Sequence, residues 1–168
     1  ILNLPDNEKN PPVVLMLHGF TGQKNEFPIA GGTTGLFAYT AARLADSGIA
    51  SLRIDFNGSG ESDGNWEDTT FSGQVKDAVL AFDYLQALPT VDVSKIGILG
   101  YSQGGLVGGH LAALRPEASA VVLWAPVTNP VATYSTIMGV DTVKSAMSGP
   151  VETVTTAKLS WGGETKLK

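Results

Sequence analysis

An open, mostly parallel α/β sheet with helices on both faces is the fold class this sequence predicts. Short runs of apolar and β-branched residues alternate with segments of helical periodicity, and glycines gather where those runs end. The 168 residues are 43% apolar and only 16% charged, a balance that favours a buried core over disorder. Buried strands separated by helices of ten or more residues imply parallel pairing through right-handed crossovers.

Val13-Val14-Leu15-Met16-Leu17 is a continuous apolar run that stops at His18-Gly19, as a strand buried on both faces does. Across residues 36–47 the apolar positions Phe37, Ala41, Leu44 and Ala45 recur at helical spacing, with Gly48 as a C-terminal cap. A second strand is expected over 49–56, followed by a polar, glycine-rich loop over 57–70. Val75, Ala78, Val79, Phe82 and Leu85 form the stripe of a second helix over 72–88, which Pro89 ends. A third strand over 95–100, a third helix over 103–114 and a fourth strand over 118–124 complete the alternation. After Pro126 the periodicity weakens. Residues 1–126 therefore read as core, and 127–168 as part of a cap or insertion.

Eleven Lys and Arg against sixteen Asp and Glu give a formal charge of −5, without a basic cluster to bind phosphate backbones. No nucleic-acid partner is expected. The absence of cysteine removes disulfides, thiolate metal sites and a cysteine nucleophile. The longest apolar runs, 13–17 and 120–126, are too short for a membrane span, so a soluble, cytoplasmic chain is expected.

Gly100-Tyr101-Ser102-Gln103-Gly104 matches G-x-S-x-G where the third strand must turn into the third helix. Such a turn strains the serine backbone and needs small neighbours two residues away on each side. Gly100 and Gly104 meet that need and push the Ser102 hydroxyl out above the sheet. The Gln103 amide then opens a helix, where an unpaired N–H and the helix dipole face a developing oxyanion. The glycine-flanked segment His18-Gly19-Phe20-Thr21-Gly22 is suited to presenting the Phe20 amide as a second donor.

With these segments in this order, and with residues 53–64 reading Arg-Ile-Asp-Phe-Asn-Gly-Ser-Gly-Glu-Ser-Asp-Gly between them, the chain resembles the α/β-hydrolases as far as about Trp124. The wording is most similar to bacterial serine carboxylesterases of the cinnamoyl or feruloyl esterase type, with dienelactone-hydrolase-like relatives. The resemblance implies hydrolysis of a small carboxylic ester through an acyl-enzyme on Ser102, without cofactor or metal. It makes His18 and Gly19 the lead into the oxyanion loop, rather than making His18 the base, and it makes Asp55 a residue that orders the loop after its strand.

Other residues read more plainly. His110 lies eight residues beyond Ser102, about 12 Å along a helix axis, and reads as a surface or packing histidine. Tyr101 reads as packing. Gly104, Gly105, Gly108 and Gly109 form a side-chain-free stripe that lets the helix approach the sheet. The 57–64 loop has no Lys or Arg and no G-K-[ST] ending, which excludes a P-loop. Asn57-Gly58-Ser59 fits the glycosylation pattern, but its place in the family loop explains it better.

A triad on this fold runs Ser, acid, His in chain order. No histidine follows His110, and the acids Asp141 and Glu152 are followed by none. The sequence is therefore expected to be truncated at both ends, with residues 1–4 as the tail of an upstream strand. A further C-terminal segment or a second chain is expected to complete the site. An acyltransferase or thioesterase uses the same residues, and a catalytically silent binding domain is the alternative if the chain is complete. A dinucleotide-binding fold fails because Ser102 occupies the second glycine of G-x-G-x-x-G.

Overall fold

The computed structural model describes residues 1–150 and 153–167. Five strands, β1 (Leu2–Asn3), β2 (Val13–Leu17), β3 (Ala50–Arg53), β4 (Ile96–Tyr101) and β5 (Ala120–Trp124), form one sheet in the order β1-β3-β2-β4-β5. β3, β2, β4 and β5 are parallel, with Leu15 opposite both Leu52 and Ile98, whereas β1 pairs antiparallel with β3.

Helices α1 (Leu36–Asp46), α2 (Phe71–Gln86) and α3 (Gln103–Leu114) divide between the two faces. The period-2 alternation of β2 decides which side chain meets which helix. Met16 points to Phe37 and Ala41 of α1, and Leu15 and Leu17 point to the side where Phe82, Leu85, Val107 and Leu111 of α2 and α3 pack. Thr70 caps α2 by accepting from Gly73 N.

Two expectations need correction. The second strand is shorter than the 49–56 run, because the residues after Arg53 have other partners. Phe56 N donates to His18 Nε2 at 3.2 Å, and the Asp55 carboxylate accepts from Lys24 N at 2.6 Å and Glu61 N at 3.0 Å. The fourth strand is not buried: Val121, Val122 and Leu123 are 42%, 45% and 40% exposed, and among the described residues no strand pairs with its outer edge.

Beyond Pro126 the chain forms elements that its periodicity does not announce. They are α4 (Pro130–Met138), α5 (Val140–Ser148) and an antiparallel hairpin of β6 (Thr155–Lys158) and β7 (Glu164–Leu167). The start of α4 does carry a sequence signal. Asn129 accepts from Ala132 N at 3.0 Å and Pro130 opens the first turn. Trp66, in a short 3-10 turn over Trp66–Asp68, donates from Nε1 to Thr165 Oγ1 at 2.7 Å and fastens the hairpin to the core. Among the described residues no helix is long and apolar enough to cross a membrane.

Candidate active site

Ser102 stands between β4 and α3 with φ 52° and ψ −115°, a left-handed-side conformation that a non-glycine residue adopts only when its surroundings hold it there. Those surroundings are visible. Ser102 N donates to Trp124 O at 2.9 Å, and Ser102 O accepts from Gly105 N at 3.0 Å and Val127 N at 3.0 Å. A Cβ on Gly100 would overlap the Gly104 carbonyl oxygen, and one on Gly104 would overlap the carbonyl oxygens of Leu17 and His18. The turn therefore closes only with glycine at both places. The α3 ladder begins with donation from Gly105 N, so the Gln103 amide precedes the first intrahelical bond.

The loop after β2 lies against this turn. A Cβ on Gly19 would sit 3.3 Å from Ser102 Cβ and 3.1 Å from the Tyr101 ring. Gly22 N donates to Gly19 O at 3.1 Å and Glu26 N to Gln23 O at 2.8 Å, so the loop is two successive turns, with Thr21 and Glu26 at φ 55° and 59°. Wholly buried His18 accepts from Phe56 N at Nε2, which leaves Nδ1 to donate to Gly19 O at 2.9 Å. Burial pushes its pKa down, and the neutral ring braces the loop.

Glu26 closes the loop by accepting from Gly19 N. Burial pushes its carboxyl above the ordinary range, against the lowering effect of the Gly19 and Phe27 amides. Nothing in the sequence marks Glu26, since a glutamate in a polar loop reads as a solvated residue.

Asp55 orders the next loop, as the sequence resemblance implies. It takes the Lys24 ammonium and the Glu61 amide, and Ser62 Oγ donates to its carbonyl at 2.8 Å. Burial pushes the Asp55 carboxyl up, but the hydrogen bonds from Glu61 and Lys24 prevail and hold it below the usual carboxylate range. Stability from such a group is complete above its unfolded-state pKa, about 4, and is lost as pH falls through the native value. Asp55→Asn should therefore cost about 2 kcal/mol near neutral pH, less than a fully enclosed pair because Glu61 lies in solvent. The deficit should shrink below about pH 4. Urea midpoints of both proteins between pH 2 and 7 check this, and a pH-independent deficit would assign Asp55 a purely steric role.

A cavity of about 520 Å³ opens over Ser102, walled by Phe20, Phe27, Tyr134, Ile137 and Trp161. Phe20 and Tyr134, with ring centroids 5.2 Å apart, part it from a second, more apolar chamber of about 690 Å³ between α4, α5 and Trp66. The structure thus brings together Ser102, Gly19, Phe20 and Gln103, with Gly100 and Gly104 beneath them. It leaves His110 on the surface of α3, bonded through Nδ1 to Leu106 O at 3.0 Å, with its ring edge against Phe71. Asp141 is in the first turn of α5, and Glu152 lies outside the described residues. Of the glycine stripe, Gly104, Gly105 and Gly108 meet close neighbours, whereas Gly109 faces open space.

A mostly parallel sheet with a strained serine between an inner strand, β4, and the following helix defines the α/β-hydrolase class. Residues 10–160 match the family described as serine aminopeptidase, S33, and the chain belongs to that family. Polyketide transferase ATR5 of Stachybotrys chlorohalonatus is 33% identical over 119 residues, 70% of this chain and 37% of that protein. The acylamino-acid-releasing enzyme of Arabidopsis thaliana is 30% identical over 142 residues, 80% of this chain and 17% of that protein. The structure of Est1E from Butyrivibrio proteoclasticus with ferulic acid bound superposes with a TM-score of 0.71 at 24% identity, over 99% of this chain and 62% of that one. At that identity the likeness establishes the shared fold. The chain spans less than two thirds of the length of each of these proteins.

Proposed function

We propose that this chain carries the nucleophile and oxyanion-binding half of a serine carboxylesterase that cleaves a small ester through an acyl-enzyme on Ser102. The observation that carries the reading is the Ser102 backbone, held at positive φ with the Gln103 amide beside it and the Phe20 loop against it. In this reading Ser102 Oγ attacks the ester carbonyl carbon and gives up its proton to a base. The carbonyl oxygen becomes an oxyanion that the Phe20 and Gln103 amides receive. Collapse expels the alcohol, which takes the proton from the protonated base, and water then frees the acid by the same steps. Each amide donor is worth about 3 kcal/mol in the transition state.

The base comes from outside residues 1–168, since His18 is engaged at both ring nitrogens and His110 stands about 12 Å along α3 from Ser102. A C-terminal segment or a second chain supplies it, together with the acid. Residues 127–168 act as part of a cap, whose α4 walls the chamber over Ser102. The aromatic lining suits an aryl acyl group, in keeping with the ferulic acid named for Est1E. Transfer to an acceptor other than water is the second reading, favoured by the similarity to a polyketide transferase.

Ser102→Ala in the completed enzyme should abolish both esterase turnover and the mass increment left by a fluorophosphonate probe. Equal labelling of wild type and variant would remove Ser102 from the reaction. Product analysis with and without an added alcohol separates hydrolysis from transfer.

A further inference from the structure

We infer that Tyr134 of α4 is a positioning residue for both halves of the oxyanion site, because its ring packs on Phe20 while its hydroxyl donates to Gln103 Oε1. The inference rests on the reading of Ser102, Phe20 and Gln103 given above. Phe20, in the loop after β2, and Gln103, at the start of α3, are far apart in the sequence, and Tyr134 touches both.

On one side the contact continues inward. Gln103 Nε2 donates to Gln74 Oε1 at 2.5 Å, and Gln74, on α2, is only 3% exposed. The Gln103 side chain is thus held at both ends of its amide, by the core helix α2 and by α4. The Ser102–Gln103 peptide is held at its carbonyl by Gly105 N and Val127 N, and the two side-chain bonds add to that hold by resisting displacement of Gln103. On the other side the Phe20 ring lies between Tyr134 and Trp66, with centroids at 5.2 Å and 5.3 Å, and Trp66 is itself tied to Thr165. The Tyr134 hydroxyl is pushed up to about 12 by burial, so it remains a proton donor throughout the working range of such an enzyme.

Displacing a reacting group by about 1 Å costs on the order of a hundred-fold in rate. A positioning role therefore predicts effects on kcat in excess of those on KM. In the completed enzyme, Tyr134→Phe keeps the ring and removes only the bond to Gln103. It should lower kcat about ten-fold with KM nearly unchanged. Gln74→Leu, outside both chambers, should do the same by freeing the other end of the Gln103 side chain. The double variant should be little worse than either alone, because both act through one side chain. Affinity for a boronic acid that forms a tetrahedral adduct on Ser102 should fall in step with kcat/KM, and that for the carboxylic acid product should not.

Unchanged kcat in Tyr134→Phe, or a raised KM with Gln74→Leu silent, would overturn the inference and make Tyr134 a direct substrate contact. Should Tyr134→Phe not fold, Gln74→Leu and its boronic acid affinity decide the matter alone. Retention of turnover by Ser102→Ala would instead sink the reading of the site, an outcome distinct from any of these.

Discussion

Residues 1–168 on their own should hydrolyse an activated ester about a million-fold more slowly than the enzyme completed by a histidine-bearing segment. The expectation follows from where the two histidines are. His18 is wholly buried, with a backbone amide on one ring nitrogen and a backbone carbonyl on the other. Taking a proton from Ser102 would require it to abandon the Phe56 amide and carry a charge where burial disfavours one. His110 is too distant. In the proposed reading, what remains is an oxyanion site without a base, which retains a thousand-fold or so over water. Hydrolysis of a p-nitrophenyl ester, measured with and without the completing segment in cis or in trans, checks the difference. Turnover by the 168 residues alone in the ordinary range of about 1 to 1000 per second would reveal a base among them.

Gly104→Val should be the most damaging single substitution at the serine turn. Its Cβ would enter the carbonyl oxygens of Leu17 and His18, backbone atoms at the end of a central strand that have no room to yield. Inserting methyl groups into packed interiors costs about 1–3 kcal/mol when side chains give way, and more is expected where backbone must move. Two comparisons isolate the cause. A Cβ on Gly108 would lie 3.2 Å from Ile98 Cγ2, which has a little freedom, and Gly109 faces open space. Gly108→Ala should therefore be mildly destabilising, and Gly109→Ala should stabilise α3 by about 1 kcal/mol. Folded yield, melting temperature and probe labelling of the completed enzyme rank the three. Wild-type behaviour of Gly104→Val would mean that the turn is looser than the overlap implies.

The core of the fold was legible because its signals are local. Apolar runs of strand length, helical stripes and a glycine-bounded serine each act within a dozen residues, and β2, β4, α2 and α3 fall where those signals put them. The serine turn was legible for the same reason, since Gly100 and Gly104 are neighbours of Ser102 in the chain as well as in space. Glu26 and Tyr134 were not legible. Their importance comes from what folding brings to them: Gly19 N in one case, and Phe20 with Gln103 in the other. The region after Pro126 was hidden because its short helices mix Thr and Ser with apolar residues and cover a chamber rather than a core. The shortening of β3 depended on His18 and Lys24, more than twenty residues upstream.

Two tryptophans wall the chambers, and the third joins the serine turn through its backbone. Trp66 has its indole N–H on Thr165 and its ring on Phe20, Trp161 lines the chamber over Ser102, and the Trp124 carbonyl accepts the Ser102 amide while its ring faces Phe37. These are all three tryptophans of the chain. The indole emission of these 168 residues therefore comes from Trp66 and Trp161 at the walls of the chamber and from Trp124, whose ring lies in the core beside α1. Intrinsic fluorescence becomes a built-in optical gauge of the site, sensitive to what enters the chamber and to whether the β6–β7 hairpin stays fastened, with no label attached.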